Sequence, residues 1–365
     1  MAVGVGVVGC GTISHPYLRN LSSFPDVRVV ACTDLDLDRA KVVAEQYDVP
    51  VVGGLDVVMN QPDVEIVLNL TIPAAHMDVS AAAVAAGKHV YSEKPLALDP
   101  ARGAMLLADA AAARLRVGSA PDTFLGAGLQ SAYRLIAQGA IGVPLSAVTL
   151  MQGPGPQSWH PAPEFFFQQG AGPLFDMAPY YLTALAAAFG PVSRVVATTR
   201  TAQAERVIGS GPRTGTRFAV DVPTHVSALL DFASGPTATS IFSFDSPLDR
   251  QDFFEITGTE ATLAVPNPNN FSGESRLRRS GEKEWTPMPE TGVAVGRGMG
   301  VLDLARAIRT GGPERSGGTG ALHVVDVMTA VIRSAERSEF IALDTTFPTP
   351  EPLPLDWDPL ASTLD

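Results

Sequence analysis

The sequence predicts two folds in series. An N-terminal α/β domain has a parallel sheet covered by helices, and an α+β domain follows on a large, mostly antiparallel, open sheet. Apolar runs alternate with helix-length segments through the first 120 residues, which is typical of βα units in a parallel sheet. Several later segments alternate polar and apolar residues, as antiparallel strands with one exposed face do. The length of 365 residues allows about two domains of ~150 residues each.

The first predicted strand is an apolar run that begins at Val3 and ends in the glycine turn Gly9-Cys10-Gly11. Glycines permit a tight turn and a close approach of the backbone to a ligand. A helix is expected from about Pro16, because proline is tolerated in a first helical turn. A strand, a glycine turn and a helix N-terminus together form a site for a phosphate or pyrophosphate. Ser14 takes the place of the third glycine in the usual G-x-G-x-x-G pattern.

Asp34 follows the second predicted strand, Val27 to Thr33, and lies 23 residues after Gly11. A carboxylate near that spacing accepts both ribose hydroxyls of an adenosine and repels a 2′-phosphate, so it favours NAD over NADP. The alternative is that Asp34 only caps the next helix, expected at residues 37–47, with Asp36 and Asp38 as competitors.

Three more strands and two helices continue the alternation. The strands are expected at 64–70, 89–92 and 116–120, and the helices at 74–86 and 100–114. The strand ends are Gly9-Cys10-Gly11, Asp34, Thr71-Ile72-Pro73 and Glu93-Lys94-Pro95. Ligands of such sheets bind at the carboxyl ends of the strands, so we expect all four groups to face one crevice. Residues 1–121 are therefore predicted to form a dinucleotide-binding (Rossmann) domain.

Lys94 stands out because it follows a buried strand at the edge of this expected crevice. A lysine beside a positively charged nicotinamide ring has its proton affinity lowered by like charge and by desolvation. Such a lysine can act as a general acid or base near neutral pH. The alternative is an ordinary lysine in a surface turn.

These motifs resemble the glucose–fructose oxidoreductase, inositol dehydrogenase and rhizopine-catabolism (Gfo/Idh/MocA) family. The resemblance is carried by Gly9-x-Gly11, Asp34, Thr71-x-Pro73-x-x-His76 and Glu93-Lys94-Pro95, and it spans residues 3–340. It implies an NAD(P)-dependent dehydrogenase or reductase of sugars and polyols. It also implies that Lys94 is the catalytic lysine, touching both the nicotinamide ribose and the substrate, and that the Lys94–Pro95 bond is cis.

The resemblance also names the candidate contacts of the cofactor. These are Gly9, Gly11, Thr12, Ile13, Asp34, Thr71, Pro73, His76, Glu93 and Lys94. NAD is the expected cofactor, with NADP the less favoured choice.

The second domain is expected at residues 122–344. Its predicted helices are 122–138, a helix within 170–190 and 321–338. Its predicted strands are 145–151, 194–201, 225–232, 237–244, 253–257, 262–265 and 340–343. The family resemblance implies that this sheet lies behind the active site and pairs subunits through its open face, giving a homodimer or homotetramer. Residues 345–365 hold five prolines and form an arm on the protein or on a partner subunit, or a disordered tail.

Asp176 and Tyr180 are four residues apart and share one helix face. The family pattern has an aspartate followed four residues later by a histidine, and some members, including glucose–fructose oxidoreductases, carry tyrosine there. We expect Asp176 to orient the substrate and Tyr180 to assist proton transfer, because a neighbouring cation can lower the pKa of a phenol from about 10. The alternatives are a helix cap and a core aromatic, and Tyr181 is a competitor for the role of Tyr180.

The loop before this helix carries Trp159 and His160 among prolines, glycines and phenylalanines. An aromatic face suits the apolar side of a sugar ring and an imidazole suits a hydroxyl, so both are candidate substrate contacts. The alternative is a loop held down by its own aromatics. His225 is expected in a strand core, and Arg276, Arg278 and Arg279 on a solvated strand face.

Composition narrows the class of partner. The net charge of −12 argues against nucleic acid or an anionic membrane, both of which need a basic surface. Cys10 and Cys32 both fall in predicted buried strands, so we interpret them as core thiols in a reducing compartment. The histidines show no metal-ligand spacing, so no metal is expected. No apolar run reaches membrane-spanning length and no basic segment precedes Cys10, so a cytoplasmic location is expected.

Two hypotheses follow for function. The first is an NAD-dependent oxidoreductase of a sugar, inositol or related polyol, with Lys94 as the acid/base. The second is a dinucleotide-binding regulator that senses a sugar without catalysis, which the tyrosine at position 180 leaves open.

Overall fold

The computed structural model describes residues 1–364, which form two compact units. Unit 1 comprises residues 1–127, 291–325 and those from 350 onward, and unit 2 comprises 128–290 and 326–349. The first boundary lies close to the expected one at 121. The chain then returns to unit 1 at residue 291, which the sequence did not predict.

Unit 1 begins with alternating strands and helices. In chain order they are β1 (Val3–Val8), α1 (Ser14–Leu21), β2 (Val27–Thr33), α2 (Leu37–Tyr47), β3 (Val51–Val52), α3 (Leu55–Asn60), β4 (Ile66–Asn69), α4 (Pro73–Ala85), β5 (His89–Ser92), α5 (Pro100–Ala112) and β6 (Val117–Ser119). The six strands form a parallel sheet in the order β3-β2-β1-β4-β5-β6, the order of a Rossmann sheet. The predicted fold class of this unit is confirmed.

Two local differences have clear causes. The sequence did not predict β3 and α3, because the strand has only two residues and the helix six, too short for a recognisable period. Helix α1 begins at Ser14 rather than at Pro16, because the Ser14 main-chain N–H donates to the carbonyl oxygen of Gly11 at 3.0 Å and forms a turn that leads directly into the helix.

Unit 2 contains helix α6 (Ala127–Ala137), which begins at the boundary, followed by β7 (Pro144–Gln152), α7 (Gly172–Phe189), β8 (Val192–Arg200), β9 (Glu205–Val207), β10 (Arg217–Ala219), β11 (His225–Phe232), β12 (Thr237–Ser243), β13 (Arg250–Gly258), β14 (Ala261–Ala264), β15 (Ser275–Arg279) and β16 (Thr286–Met288). After α8 (Met299–Thr310) in unit 1, α9 (Gly318–Arg337) leads back to β17 (Ile341–Ala342) in unit 2.

The main sheet of unit 2 has nine strands in the order β16-β15-β14-β13-β7-β12-β11-β8-β17. Only the β7–β12 pair is parallel, so the prediction of a large, mostly antiparallel sheet is confirmed. Strands β9 and β10 form a separate hairpin that the sequence did not predict. The predicted single helix 122–138 is wrong, because a 3₁₀ turn over Thr123–Leu125 ends at the extended Gly126 before α6 begins.

The returning segment completes the core of unit 1. Val301, Leu302 and Leu304 of α8 are fully buried in the same hydrophobic core as the apolar residues of β1 and α1. From residue 350 onward the C-terminal arm also lies on unit 1, where Leu364 joins the same core and the Trp357 ring stacks on the guanidinium of Arg306 at 4.8 Å. These contacts place residues 350–364 on unit 1 of the same chain.

The structure also places the two cysteines, His225 and the three arginines that the sequence analysis singled out. Cys10 and Cys32 are buried and form no disulfide. His225 is half-buried, with its ring nitrogens 3.0 and 3.1 Å from the hydroxyls of Ser243 and Ser227. Arg276, Arg278 and Arg279 are exposed, as predicted.

Within residues 1–364 no helix is long and apolar enough to span a membrane. The same residues contain no cluster of three or more histidine, cysteine or acidic side chains arranged for a metal ion.

Candidate functional site

The glycine turn after β1 uses its two glycines differently. Gly9 has φ +100°, and a Cβ there would lie 2.7 Å from the carbonyl oxygen of Leu70, so only glycine fits. A Cβ on Gly11 would meet no atom within 4 Å, so this side of the turn is open. The open backbone directly before the N-terminus of α1 fits the pyrophosphate of a dinucleotide.

The residues after Gly11 divide between surface and core. Thr12 is exposed, whereas Ile13 packs partly buried against the core of unit 1. Ser14 is fully buried, which explains why a small residue stands at the third-glycine position. Thr12 is therefore the side chain of this segment with most access to a ligand.

Asp34 connects the end of β2 to the glycine turn. Its Oδ2 accepts from the main-chain N–H of Cys10 at 2.7 Å, and its Oδ1 accepts from the Arg39 guanidinium at 2.8 Å and from the Asp36 N–H at 2.9 Å. Burial acts to raise the pKa of Asp34, but these hydrogen bonds outweigh it and leave the pKa lowered. Asp36, not Asp34, caps α2 by accepting from the N–H groups of Asp38 and Arg39. The capping alternative for Asp34 is thus removed.

The end of β4 is organised by Asn69, a residue that the sequence analysis did not single out. Its Nδ2 donates to the carbonyl oxygen of His76 and to the Ser80 hydroxyl, and its Oδ1 accepts from the N–H and hydroxyl of Thr71. Asn69 is fully buried. It therefore fixes Thr71 just before Pro73 starts α4.

His76 lies beneath this turn with no accessible surface. Its Nδ1 is 2.8 Å from the carbonyl oxygen of Pro95, and its Nε2 is 3.0 Å from that of Thr71. Burial lowers the pKa of His76, and a neutral imidazole donates from one nitrogen only. His76 thus joins the ends of β4 and β5, and its burial leaves no surface of the ring for a bound ligand.

Lys94 and Pro95 follow β5 and are joined by a cis peptide bond, as the resemblance implied. Glu93 holds this turn from below. Its Oε1 accepts from the Tyr17 hydroxyl at 2.9 Å, and its Oε2 accepts from the Lys94 main-chain N–H at 3.0 Å. The Arg297 guanidinium lies 3.7 Å from Oε1. The Glu93 carboxylate is thus committed to protein groups, and Lys94 is the partly exposed side chain of the motif.

Asp122 and Arg297 are further residues of this region that the sequence analysis missed. Asp122 Oδ2 accepts from the N–H groups of Gly298 and Gly300 at 2.8 and 3.2 Å, at the start of α8. Burial raises the pKa of Asp122. These partners are far apart in the chain, so only tertiary structure reveals them.

Unit 2 contains a cavity of about 150 Å³ that brings together Asp176 of α7 and Trp159 of the preceding loop. Its other lining residues are Met151, Gly153, Pro154, Gly155, Pro156, Met177, Phe244, Asp249 and Gln251. Asp249 and Gln251 were not predicted, because they lie outside any recognisable motif. The cavity combines an aromatic face with carboxylates, which suits a ring that bears hydroxyls.

The two tyrosines of α7 differ in their surroundings. Tyr181 is fully buried, its ring packs edge-on against Phe242, and its hydroxyl donates to the carbonyl oxygen of Gln251 at 2.6 Å. Burial raises the pKa of Tyr181 above its usual value. Tyr181 therefore has a structural role. Tyr180 is 5% exposed and is not among the residues that line the cavity.

His160 belongs to a cluster of aromatic rings on the loop before α7. Its ring lies 5.3–5.5 Å from the rings of Trp159, Phe165 and Phe166, and its Nδ1 accepts from the N–H of Ala162. His160 does not line the cavity, whereas Trp159 does and is 63% exposed. The loop is thus held by its own aromatics and still presents Trp159 to the cavity.

Sequence models of protein families match both units. The model described as an oxidoreductase family with an NAD-binding Rossmann fold matches residues 3–120, and the GFO/IDH/MocA C-terminal domain matches residues 129–264. Together these matches span most of the chain.

Individual proteins are similar over most or part of the length. The chain is 26% identical to the trans-1,2-dihydrobenzene-1,2-diol dehydrogenase of Bos taurus, over 85% of this chain and 88% of that protein. It is 34% identical to inositol 2-dehydrogenase 3 of Saccharopolyspora erythraea, over 44% of this chain and 49% of that protein. A levoglucosan dehydrogenase solved with NADH and levoglucosan shares the fold, with a TM-score of 0.80 and 21% identity over 94% of this chain and 100% of that one. The chain belongs to the Gfo/Idh/MocA family of oxidoreductases, with an NAD-binding Rossmann fold in its N-terminal part.

Proposed function

We propose that this protein is an NAD-dependent dehydrogenase that transfers a hydride between nicotinamide C4 and a hydroxyl-bearing carbon of a sugar, inositol or related cyclic polyol. The observation that carries the proposal is the position of Lys94 at the end of β5, in the sheet whose β1 ends at the open Gly11. An amine at that edge is suited to move the proton that accompanies hydride transfer. The names of the similar proteins support a cyclic, hydroxylated substrate.

In this proposal Lys94 is the acid/base. During oxidation its neutral amine accepts the hydroxyl proton while the C–H bond gives its hydride to the cofactor and a carbonyl forms. When bound, NAD supplies the hydride acceptor. Asp176 accepts a hydrogen bond from a substrate hydroxyl and so orients the ring, and Trp159 covers an apolar face. Tyr180, one helical turn after Asp176, is proposed to assist proton transfer, and His160, packed against Trp159, to be a further substrate contact, although neither side chain lines the cavity.

We further propose NAD as the preferred cofactor, with NADP less favoured. The Asp34 carboxylate lies at the tip of β2, next to the glycine turn, where it would accept ribose hydroxyls and repel a 2′-phosphate. Gly9, Gly11, Thr12, Ile13, Thr71 and Pro73 provide the surrounding surface. Glu93 and His76 act as positioning residues, because their side chains hold the turns that carry Lys94 and Thr71.

The protein is also proposed to be a homo-oligomer, a dimer or tetramer joined through the open face of the nine-stranded sheet. On one face of the sheet, Val148 of β7 and Phe253 of the neighbouring strand β13 are exposed apolar side chains, since Phe253 pairs with Leu150, two residues from Val148. Light scattering after size-exclusion chromatography measures the state, and replacing Val148 with lysine should shift it toward the monomer.

The direct test of function is NADH formation at 340 nm with NAD and a panel of cyclic polyols, including myo-inositol, glucose and levoglucosan. The proposal predicts saturable turnover of at least one of them. Binding of NADH and polyol without turnover of any would instead indicate a sugar-sensing regulator.

A further inference from the structure

The cavity of unit 2 contains a second carboxylate, Asp249, besides Asp176. Asp249 lies directly before β13, is solvent-exposed and lines the cavity together with Trp159 and Gln251. Among the described residues, no protein group hydrogen-bonds or ion-pairs with its carboxylate. Asp249 therefore has no evident structural role in this chain.

The lining of the cavity carries no positive charge. Its polar side chains are two carboxylates and the Gln251 amide, and the remaining lining residues are apolar, glycine or proline. Asp249 and Gln251 also line a second, larger concavity, and the other residues around it include Arg250, Asp252 and Asn267. Within residues 1–364 Arg250 forms no ion pair with Asp249, and Arg250 does not line the smaller cavity.

The size of the cavity places any occupant close to these charges. A volume of about 150 Å³ suits a single ring and not a much larger ligand. Every substituent of that ring would lie within the screening length of about 8 Å that applies at physiological salt. The exposed face of Trp159 adds a surface that attracts cations through its π-electrons.

We propose that Asp249 contacts the substrate, and that the cavity accepts a neutral or ammonium-bearing polyol ring and discriminates against an anionic one. This inference rests on the proposed function, because it assigns the substrate ring to this cavity. A carboxylate accepts hydrogen bonds from hydroxyls and attracts an ammonium group, whereas it repels a carboxylate or phosphate on the ring. The substrates expected are thus neutral polyols and amino-polyols, not uronates or sugar phosphates.

The test compares three ligands that share one pyranose ring but differ in charge: D-glucose, D-glucosamine and D-glucuronate. Their binding to the full-length protein saturated with NADH is measured by calorimetry at slightly acidic pH, where the amine is protonated. We expect glucosamine to bind at least as tightly as glucose, and glucuronate to bind about tenfold or more weakly. Adding about 0.5 M NaCl should reduce the differences in affinity among the three ligands, because salt screens the charges.

Two variants test whether Asp249 causes this preference among the charged ligands. Asp249→Asn keeps the shape of the side chain and removes its charge, so the ratio of glucosamine to glucuronate affinity should fall by about tenfold. Asp252→Asn is the matched control, because Asp252 lines the neighbouring concavity and not this cavity, and it should leave the ratio unchanged.

Three results would overturn the inference: glucuronate binding as tightly as glucose, an unchanged ratio in Asp249→Asn, or no binding of any of the three ligands. NADH formation with neutral polyols is measured separately. Turnover without the charge ranking would remove only the role of Asp249. The charge ranking without any turnover would leave that role in place and reject the dehydrogenase.

Discussion

The main-chain N–H of Cys10 donates a 2.7 Å hydrogen bond to Oδ2 of Asp34. This bond joins the glycine turn after β1 to the end of β2, the two segments proposed to hold the pyrophosphate and the adenosine ribose. Arg39 holds the other oxygen of the same carboxylate at 2.8 Å. The carboxylate proposed to select the cofactor therefore also shapes the turn proposed to hold its pyrophosphate.

Replacing Asp34 with alanine should weaken NAD binding and narrow the affinity gap to NADP. The variant loses the ribose acceptor, loses the anchor of Cys10, and releases the positive Arg39 side chain toward a 2′-phosphate. Fluorescence titrations with NADH and NADPH measure both affinities. Asp38→Ala is the control, because Asp38 pairs only with Lys41 at the surface.

The double variant Asp34→Ala/Arg39→Ala separates the two effects. It should bind NADPH more weakly than the single variant if Arg39 meets the 2′-phosphate. A wild-type protein that already prefers NADPH would contradict the assignment of Asp34.

Replacing Lys94 with alanine should reduce turnover by about 10² or more while NADH binding stays close to that of the wild type. The Glu93 carboxylate holds the main chain of Lys94 and not the lysine side chain in this contact, so the turn should survive the change. Steady-state kinetics and NADH titration measure the two properties. Lys41→Ala is the control, because Lys41 is an exposed lysine of the same unit. Unchanged turnover in Lys94→Ala would remove Lys94 from the mechanism.

Replacing Asp26 with asparagine should loosen the end of the C-terminal arm around Thr363 and Leu364 and lower the stability of the protein. The Asp26 side chain is 1% exposed and accepts from the Arg306 guanidinium, from the N–H and hydroxyl of Thr363, and from the N–H of Leu364. Breaking a buried pair of this kind costs about 3 kcal/mol of unfolding free energy. Urea unfolding measures the loss. Asp63→Asn should cost less than ~0.5 kcal/mol, because Asp63 and Arg28 form an exposed pair at 3.7 Å.

The difference in unfolding free energy between wild type and Asp26→Asn should depend on pH in one direction. Burial acts to raise the pKa of Asp26, but the hydrogen bonds from Thr363 and Arg306 outweigh it and leave the pKa lowered. The stabilisation is therefore present above the unfolded pKa of about 3.9 and is lost as pH falls through the lower folded value. Wild type and Asp26→Asn should converge in stability at acid pH, and a gap that widens there would contradict the assignment.

Replacing Arg206 with methionine should loosen the loop that lines the cavity of unit 2. The Arg206 guanidinium donates to the carbonyl oxygens of Pro154 and Phe244 at 3.4 and 3.2 Å, and both residues line the cavity. It also pairs with Asp245 and lies over the Phe167 ring. We expect the KM for the polyol to rise about tenfold while the KM for NAD is unchanged.

Acrylamide quenching of Trp159, measured with Trp285 and Trp357 replaced by phenylalanine, reports the loop directly. Quenching should increase in Arg206→Met and should return toward wild type in Arg206→Lys. Arg217→Met is the control, since Arg217 lies in the same hairpin but is paired with Glu205 in solvent. Equal effects from positions 206 and 217 would show that the hairpin as a whole, and not Arg206, sets the loop.

Local patterns were sufficient for much of the fold. The bounds of β2, α2, β5 and β11 agree with the expected segments, because each is a mostly apolar run, an alternating strand pattern or a helical period between turn residues. The strand-end motifs of unit 1 were predicted for the same reason, since the βα order alone places them at one sheet edge. The hairpin β9–β10 was missed, because three-residue strands carry no readable period.

The sequence by itself determined the family, the parallel sheet and the motif residues from Gly9 to Lys94. These features can be recognised from short motifs and from the order in which strands and helices alternate along the chain. Only the tertiary structure decided that Glu93 is held by Tyr17 and Arg297, that residues 291–325 return to unit 1, and that Asp249 and Trp159 share a cavity. The physical reason is that such contacts join residues tens to hundreds of positions apart. Their pairing is set by packing of whole elements, which leaves no local pattern in the chain.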